Sequence, residues 1–267
     1  MKKTELNIEQ VRAIQLEMLR YIQDILVKNN IEFWLDGGTM LGCVRHKGYI
    51  PWDDDIDIII RRKDYAQALY LLNEKSQKYQ VFSMHNNSDY YYLFAKLVDT
   101  ESRLIEHNLR SIENLGVYID IFPLDFVPDD SFTQRQYYYK LFKLRSIVYY
   151  ATLEKERLAA QPLKGKLKHY IGKLYGWRKA LMQAEKLCIS TSKKYNKYVV
   201  DATGIWKKNA HVAAETFAST VFLPFEGRDY PVPSGYDVYL TSLYGDYMKL
   251  PPIENRVLKH NFKAYRL

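Results

Sequence analysis

The chain has 267 residues, of which 47% are hydrophobic and 26% charged, with a formal net charge of +8. This length allows one large domain or two small ones, and the composition is that of an ordinary globular protein. The apolar runs are too short to span a bilayer, and the first seven residues lack the apolar core of a secretory signal. The two cysteines, Cys43 and Cys188, form neither a disulfide framework nor a zinc motif, so we expect a reduced, cytoplasmic protein.

The positive charge is concentrated in residues 131–200, which hold 16 lysines and arginines against three glutamates. This segment carries +13 and the rest of the chain −5. The segment also holds Tyr137, Tyr138, Tyr139, Tyr149, Tyr150, Tyr170, Tyr175 and Trp177. Interleaved basic and aromatic residues favour an anionic, partly apolar partner, such as a membrane interface, a polyphosphate polymer or a nucleic acid. The alternative is a solvated helical face whose tyrosines pack inward.

Hydrophobic periodicity predicts helices and strands in alternation over the first half of the chain. Apolar residues at steps of three and four predict a helix over 8–29, with Asn7 as its cap. A strand over 31–35, a glycine turn, a short helix over 39–45 and a strand over 56–60 follow. Asp64 is a candidate cap for a helix that reaches about residue 79. Further strands are predicted at 81–84, 91–98 and 117–122, and Pro123 is expected to close the last one.

The second half of the chain begins with helices and then returns to strands. Residues 132–198 are predicted to be helical, with breaks at 162–165 and 175–176. Strands are predicted at 218–224 and 229–233, and a short helix over 236–243 ends at Gly245. The expected fold class is α/β of the α+β kind, a mixed-sheet core with a helical, basic insertion. We expect a catalytic core over 1–130, the basic segment over 131–200, and a C-terminal segment over 201–267 that returns to the core.

The carboxylates around residue 55 are the most informative feature. Alternate residues of a strand share a face, so Asp55 and Asp57 point the same way, and Asp53 joins them if the strand begins early. Carboxylates on one face repel each other unless a cation lies between them, and hard oxygen ligands select Mg²⁺ or Mn²⁺. A run of aspartates also occurs as a solvated turn. The β-branched run over 56–60 favours the metal site, because it requires a core and an unpaired charge at Asp57 would be costly there.

Two further features complete a pattern for phosphate chemistry. The turn Asp36-Gly37-Gly38 lies at the start of a helix and can present backbone N–H groups to a phosphate. Asp120, flanked by isoleucines, places a third carboxylate on a later strand. A glycine corner, a carboxylate pair one residue apart and a third carboxylate on a neighbouring strand are the pattern of the nucleotidyltransferase fold, which holds two divalent cations against a nucleotide's phosphates.

Three blocks of the chain resemble the LicD family of phosphocholine transferases, to which the fukutin-type transferases are distantly related. The first block, over 35–57, reads LDGGTMLGCVRHKGYIPWDDDID and is the most specific. The second is GVYIDIFPLD over 116–125. The third comprises LTSLYGDYM over 240–248, Leu250-Pro251-Pro252, Arg256 and His260.

The resemblance implies a metal-dependent transfer of phosphocholine from CDP-choline to a sugar hydroxyl, with release of CMP. The implied acceptor is a lipid-linked teichoic-acid or other cell-surface glycan precursor, and the implied location is peripheral, at the inner face of the cell membrane. The expected partners include an anionic membrane surface and no nucleic acid. One alternative is transfer of another CDP-activated alcohol phosphate, ribitol or glycerol phosphate. Another is a nucleic-acid-binding module on an inactive core, against which the intact carboxylates argue.

The candidate site residues fall into three groups. The catalytic carboxylates are Asp53, Asp55, Asp57 and Asp120, of which Asp55, Asp57 and Asp120 bind Mg²⁺ or Mn²⁺ and either Asp120 or Asp53 is the base. The nucleotide and phosphate ligands are Gly37, Gly38, Thr39, Arg45, His46, Lys47 and Lys96. Further candidates are Arg103, Asp246, His260 and Trp52, for which ordinary structural roles are open alternatives: turn cap for Asp246, core histidine for His260 and core anchor for Trp52. Lys96 has the alternative of a solvated strand-edge lysine. The aromatic residues are too numerous to single out a choline site.

Overall fold

The computed structural model describes residues 4–106, 110–204, 211–257 and 262–267. The helices are α1 (Ile8–Lys28), α2 (Gly37–His46), α3 (Arg62–Glu74), α4 (Ser131–Ala151), α5 (Lys155–Ala159), α6 (Leu163–Tyr175), α7 (Trp177–Lys194) and α8 (Tyr236–Tyr244). The strands are β1 (Thr4–Leu6), β2 (Phe33–Leu35), β3 (Asp57–Arg61), β4 (Tyr79–Phe82), β5 (Ala95–Asp99), β6 (Ser102–Glu106), β7 (Tyr118–Val127), β8 (Tyr198–Asp201), β9 (Val212–Ala213), β10 (Thr220–Phe225), β11 (Arg228–Pro233) and β12 (Phe262–Arg266). Short 3₁₀ turns cover Ala214–Phe217 and Ile253–Asn255.

A mixed sheet of seven strands lies at the centre of the described chain. Its order is β2-β3-β7-β5-β4, and β8 pairs with both β7 and β9. Strand β3 runs parallel to β7, and the other neighbouring pairs are antiparallel. The predicted α/β fold with a mixed-sheet core is therefore confirmed.

The core is built where β-branched strand residues meet the apolar stripe of α1. Ile58, Ile59 and Ile60 of β3 are fully buried, as are Met18 and Ile22 of α1. The predicted cap is also present: the Asn7 side chain accepts from the backbone N–H of Gln10, whose side chain accepts from the N–H of Asn7. This reciprocal capping box fixes where α1 begins.

The predicted bounds of three elements were wrong, among them those of β5, which begins at Ala95 and not at residue 91. Helix α3 begins at Arg62, not after Asp64, and ends at Glu74. Strand β7 continues through Pro123 to Val127. The N–H of Asp120 points to β3, since it donates to the Ile56 carbonyl, so alternation turns the Pro123 nitrogen to the opposite side. On that side of β7, pairing with β5 stops at Ile121 and pairing with β8 starts at Leu124. Pro123 lies in the gap between the two partners, so its missing N–H breaks no ladder bond.

The basic segment forms four helices, with breaks before α6 and at Gly176 as predicted. Helix α7 packs on β7, and α4 packs on α6 and α7. A second apolar cluster joins Leu141 and Val148 of α4 and Ala184 of α7 to Tyr118 and Val98 of the sheet. Because the helices share this core with the strands, the boundaries at 130 and 200 stay a prediction.

The described chain beyond residue 211 adds β9 to the central sheet and places its other strands in separate small sheets, while the predicted C-terminal segment over 201–267 stays a prediction. Strands β10 and β11 form a hairpin, and β11 packs beside β2. Strand β12 pairs with β1 and β6 in a separate three-stranded sheet. No helix in the described ranges combines the length and the apolar character needed to cross a membrane.

Candidate active site

Three charged side chains form a row across adjacent strands of the central sheet. Asp57 of β3 is the register partner of Asp120 of β7, and Asp120 is the register partner of Lys96 of β5. The Lys96 Nζ donates to Asp120 Oδ1 at 2.6 Å, and the Lys96 side chain is only 2% exposed. Lys96 is therefore not a solvated edge lysine. Directly opposed residues lie on one face of a sheet, so the row presents two carboxylates and one ammonium to the same side.

The loop before β3 brings Asp55 to this row, and α1 braces the loop. The Arg12 guanidinium donates to the carbonyls of Ile50, Pro51 and Asp53. The buried Gln15 amide donates to the Asp54 carbonyl at 3.0 Å. Charge-assisted bonds of this kind hold a loop more firmly than neutral ones. The sequence did not indicate a role for either residue at this loop, because the pattern of α1 shows only that the helix is amphipathic.

The carboxylates crowd each other enough to change their ionisation. Burial, followed by the charges of Asp55, Asp120 and Asp36, raises the pKa of Asp57 well above its ordinary value. Burial and then the charge of Asp201 raise the pKa of Asp36 to about 7, against the hydrogen bond that Tyr239 donates to it. A divalent cation relieves such repulsion, and carboxylate oxygens are the ligands that Mg²⁺ prefers. The donor set therefore fits a hard divalent cation.

The glycine corner is shaped by close approach of backbone and carboxylate. Gly37 has φ +48°, in the left-handed region that favours glycine. A Cβ on Gly38 would lie 2.6 Å from Asp53 Oδ2, so only glycine leaves room for that carboxylate. The Thr39 hydroxyl accepts from the backbone N–H of Asp57 at 2.9 Å, which ties the start of α2 to the start of β3. Carboxyl oxygens of Asp53, Asp54 and Asp55 lie within 4.8 Å of one another beside this corner.

The cations at the end of α2 are engaged with protein groups. Arg45 donates to the Tyr247 carbonyl at 2.6 Å and to His46 Nε2 at 2.9 Å. Burial lowers the pKa of Arg45, and burial together with Arg45 lowers the pKa of His46. Lys47 is exposed and adopts a left-handed C-cap conformation. Their assignment to a diphosphate stays a prediction.

The remaining candidates lie apart from the row. Arg103 donates to Asn114 Oδ1 at 2.7 Å and does not line the pocket described below. Asp246 is exposed in the turn after α8. Trp52 is half-buried between the His46 ring and the Arg256 guanidinium, which favours a packing role. His260 lies outside the described residues.

The charged row opens into a pocket of about 470 Å³, a size typical of small-molecule sites. Asp36, Asp55, Asp57, Asp120 and Asp201 lie at its acidic end. The helical segment forms part of its wall through Arg145, Val148, Tyr149, Thr152, Leu153, Glu154, Arg157 and Leu181. Arg145 is held by the Ala202 and Gly204 carbonyls. The basic segment therefore contributes directly to the candidate site.

The wall on the sheet side is aromatic. Tyr91, Tyr92, Phe94 and Phe122 form a continuous run, with successive ring centroids 4.5, 5.0 and 4.3 Å apart. The Lys96 ammonium lies 3.4 Å from the centroid of the Tyr118 ring and 5.0 Å from that of Tyr92. The tyrosine run before β5 was visible in the sequence, but its place beside the carboxylates depends on the register of β5 and β7.

The chain is similar to a known protein family and to individual proteins. Residues 30–152 match the family described as LicD/FKTN/FKRP, nucleotidyltransferase domain. The chain is 30% identical over 279 aligned residues, with full coverage of both proteins, to the lipopolysaccharide cholinephosphotransferase LicD of Haemophilus influenzae. It is also 41% identical over 58 residues, 22% of this chain and 12% of the relative, to the human ribitol 5-phosphate transferase FKRP. The full-length match and the domain match together show that the chain belongs to the LicD family.

Proposed function

We propose that this chain transfers phosphocholine from CDP-choline to a sugar hydroxyl of a lipid-linked teichoic-acid or other cell-surface glycan precursor, and releases CMP. The observation that carries the proposal is the row of Asp57, Asp120 and Lys96 at one end of an aromatic pocket, with Asp55 beside it. The relative that matches over the full length is a cholinephosphotransferase, which supports phosphocholine as the transferred group. Family membership supports a phosphotransferase in general.

Mg²⁺ or Mn²⁺ held by Asp55, Asp57 and Asp120 would neutralise the charge of the donor diphosphate and of the departing CMP. Burial and then the charges of Asp55 and Asp120 raise the pKa of Asp57, and a divalent cation between these carboxylates would offset both effects. Lys96 neutralises one side of Asp120 and lies next to the aromatic wall, where it can contact a phosphate oxygen. The backbone of Gly37 and Gly38 at the start of α2 is suited to a second phosphate contact.

In the proposed transfer, the sugar oxygen attacks the phosphorus that bears choline. A bond forms from that oxygen to phosphorus, and the bond from phosphorus to the CMP oxygen breaks. Asp120 or Asp53 accepts the proton of the sugar hydroxyl. One oxygen of Asp120 already accepts from Lys96, and Asp53 lies against Gly38, so both carboxylates have fixed positions from which to act.

The direct test uses the purified chain with Mg²⁺ and CDP-choline, CDP-ribitol or CDP-glycerol in parallel. We expect CDP-choline with Mg²⁺ to raise the melting temperature most, and slow CMP release from CDP-choline to stop when EDTA is added. A larger shift with CDP-ribitol would favour the other donor class, to which the match with FKRP also points. Stabilisation by oligonucleotides alone would support the nucleic-acid-binding alternative.

We further propose that α6 docks the protein on an anionic membrane at its cytoplasmic face, where a lipid-linked acceptor is presented. The buried face of α6 carries Gly165, His169 and Gly172. The helix packs on α4 at the last two, since Gly172 lies against Ala151 and His169 Nδ1 lies 2.7 Å from the Tyr150 carbonyl oxygen. The opposite face is apolar and exposed, with Leu163 at 85% and Leu174 at 92%. Leu167, Tyr170 and Ile171 lie on the same side, at helical steps of three and four.

The charges on α6 complement this apolar face. By helical periodicity, Lys164 and Lys168 fall on one flank of the apolar stripe and Lys166 and Lys173 on the other. A helix with an outward apolar face between two rows of lysines is typical of segments that lie in the plane of an anionic membrane interface. The sequence alternative, in which the tyrosines pack inward, holds for Tyr137 and Tyr138 of α4 but not for Tyr170.

A further inference from the structure

The aromatic part of the pocket contains a carboxylate, Glu106, that the proposed transfer does not use. Glu106, at the end of β6, lines the pocket with the tyrosines. Its Oε1 accepts from the Tyr118 hydroxyl at 2.9 Å. Its Oε2 is buried and has no hydrogen-bond partner among the described residues. A buried carboxylate oxygen without a partner is costly, and a cationic ligand would satisfy it.

Glu106 lies close to the ring edges of the aromatic wall. Burial and then the charge of Glu106 raise the pKa of both Tyr92 and Tyr118. The neighbouring cation on this side of the pocket, Arg110, is directed to Asp89 at 2.6 Å and to the Trp177 ring. Arg145 and Arg157 belong to the helical wall, and Arg145 is bound to backbone carbonyls there. The aromatic wall therefore lies between the Lys96 ammonium on one side and the Glu106 carboxylate on the other.

We propose that Tyr91, Tyr92, Phe94 and Glu106 form the site for the quaternary ammonium of the donor and so determine its specificity. This assignment rests on the proposed phosphocholine transfer and names the residues that would select choline. The ring faces attract a methylated cation, and Glu106 supplies the opposite charge. Lys96 shows that these rings accept an ammonium, because its Nζ lies 5.0 Å from Tyr92 and 5.4 Å from Phe94.

The order of charges along the pocket matches phosphocholine. The carboxylate row, which is the proposed metal site, lies at one end and Lys96 follows. Glu106 lies beyond the Tyr118 ring, whose centroid lies 3.4 Å from Lys96 Nζ and whose hydroxyl donates to Glu106. Phosphocholine has an anionic phosphate at one end and a cationic trimethylammonium at the other. It can therefore place its phosphate beside the metal and Lys96 and its ammonium beside Glu106. A ribitol or glycerol chain can donate hydroxyl hydrogen bonds to Glu106, but it has no cation for the ring faces or for the carboxylate charge, so it lacks the electrostatic attraction that choline gains.

The test compares two substitutions at the site with two matched controls. Glu106→Gln removes the charge but keeps an oxygen for the Tyr118 hydroxyl. Tyr92→Leu removes the ring, and Tyr92→Phe keeps it. Glu185→Gln is the control glutamate, half-buried and bonded to His85 outside this pocket. Each full-length variant is titrated calorimetrically with CDP-choline and CDP-glycerol in Mg²⁺, and with tetramethylammonium alone.

We expect wild type to bind CDP-choline at least tenfold more tightly than CDP-glycerol. Glu106→Gln and Tyr92→Leu should each reduce this ratio at least fivefold, while affinity for CDP-glycerol changes less than twofold. Both should also weaken tetramethylammonium binding, Tyr92→Phe should keep a higher ratio than Tyr92→Leu, and Glu185→Gln should match wild type. If wild type prefers CDP-choline and both Glu106→Gln and Tyr92→Leu keep the wild-type ratio, the ammonium binds elsewhere and only this assignment fails. If wild type shows no preference for CDP-choline and does not bind tetramethylammonium, the proposed donor and this assignment fail together.

Discussion

Lys96 and Asp120 form a buried ion pair between adjacent strands, with 2.6 Å between Nζ and Oδ1. Asp120 is in turn the register partner of Asp57, so the lysine is the one ammonium in a row of acidic groups. Removal of one partner from a buried ion pair usually destabilises a protein because the other charge is left uncompensated. Here the remaining charge belongs to a proposed metal ligand, which couples the stability of the fold to metal binding.

The first prediction concerns Lys96→Met. In EDTA the variant should be destabilised by about 3 kcal/mol, because Asp120 loses its compensating charge. Added Mg²⁺ should recover part of that loss and bind more tightly than to wild type, since the site is more negative. Turnover should nevertheless fall at least a hundredfold. Thermal melts across a Mg²⁺ titration and a CMP-release assay measure these effects.

Lys78→Met is the matched control, since Lys78 also pairs with one carboxylate, Glu17 at 2.9 Å, but at the surface. It should leave both Mg²⁺ affinity and turnover unchanged. A Lys96→Met enzyme with turnover within threefold of wild type would exclude a role for the ammonium in the transfer.

The second prediction concerns Asp55→Asn and Asp57→Asn. Each should lower turnover below a tenth of wild type at saturating Mg²⁺, because the proposed clamp on the diphosphate loses a charged ligand. In EDTA the Asp57 variant should melt at a higher temperature than wild type, because a neutral side chain avoids both the burial of a charge and the repulsion from Asp55 and Asp120 that raise the pKa of Asp57. The Mg²⁺-induced rise in melting temperature should shrink in both variants.

The exposed Asp24, which pairs with Arg228, provides the control for this experiment. Asp24→Asn should retain activity and the full response to Mg²⁺. Retention of more than a tenth of wild-type turnover by either site variant would contradict the metal assignment.

The sequence was sufficient to locate the acidic end of the site because its signals are local. Asp53, Asp55 and Asp57 lie within five residues and precede a β-branched run, and Asp120 lies in a second such run. Local periodicity also located α1 and the breaks around α6. The prediction ended β7 at Pro123, whereas the strand continues to Val127. It can continue because its partner changes there from β5 to β8, and these strands are far away in the chain.

The far wall of the pocket could not be predicted for the same reason. Glu106, Tyr92 and Arg145 lie on separate elements, and their proximity depends on the register of β5 and β7 and on how α4 packs beside them. The basic charge of residues 131–200 was visible, but composition does not reveal which face of a helix packs. Only the packing of α6 on α4 at His169 and Gly172 shows that its leucines point outward.

The third prediction concerns Asp36, whose pKa is raised to about 7 by burial and the charge of Asp201. Between about pH 4 and pH 7 the folded protein keeps a proton on this group that the unfolded chain has released, so its contribution to stability falls as pH rises. Asp36→Asn does not titrate and keeps an acceptor for the Tyr239 hydroxyl. In EDTA this variant should therefore melt at a higher temperature than wild type. The difference in free energy of unfolding should grow over this range by about 1.4 kcal/mol per pH unit at most, and stay constant above pH 7.

Asp125→Asn should behave in the opposite way, because Asp125 is buried in a bidentate bond with Arg62. Its loss leaves the Arg62 charge uncompensated, so this variant should be less stable than wild type at neutral pH. Melting curves from pH 4 to pH 9 distinguish the two carboxylates. An Asp36→Asn margin that is the same at pH 5 and pH 8 would show that Asp36 is ionised throughout.

The fourth prediction concerns the exposed face of α6. Reversal of Lys164, Lys166 and Lys168 to Glu should weaken association with anionic liposomes strongly, since each basic residue near such a surface contributes about 1 kcal/mol. Leu167→Ser with Leu174→Ser should weaken it by loss of apolar contact, and this second effect should persist at high salt, which screens the first. Both variants should bind CDP-choline like wild type, because neither set of residues lines the pocket.

The matched control makes the same charge change at exposed positions outside α6, by replacing Lys193, Lys194 and Lys197 with Glu. If this control lowers liposome binding as much as the α6 reversal does, the membrane contact depends on net charge and not on this helix. If the α6 variants keep wild-type liposome binding but lose affinity for CDP-choline, the segment serves the donor and not the membrane.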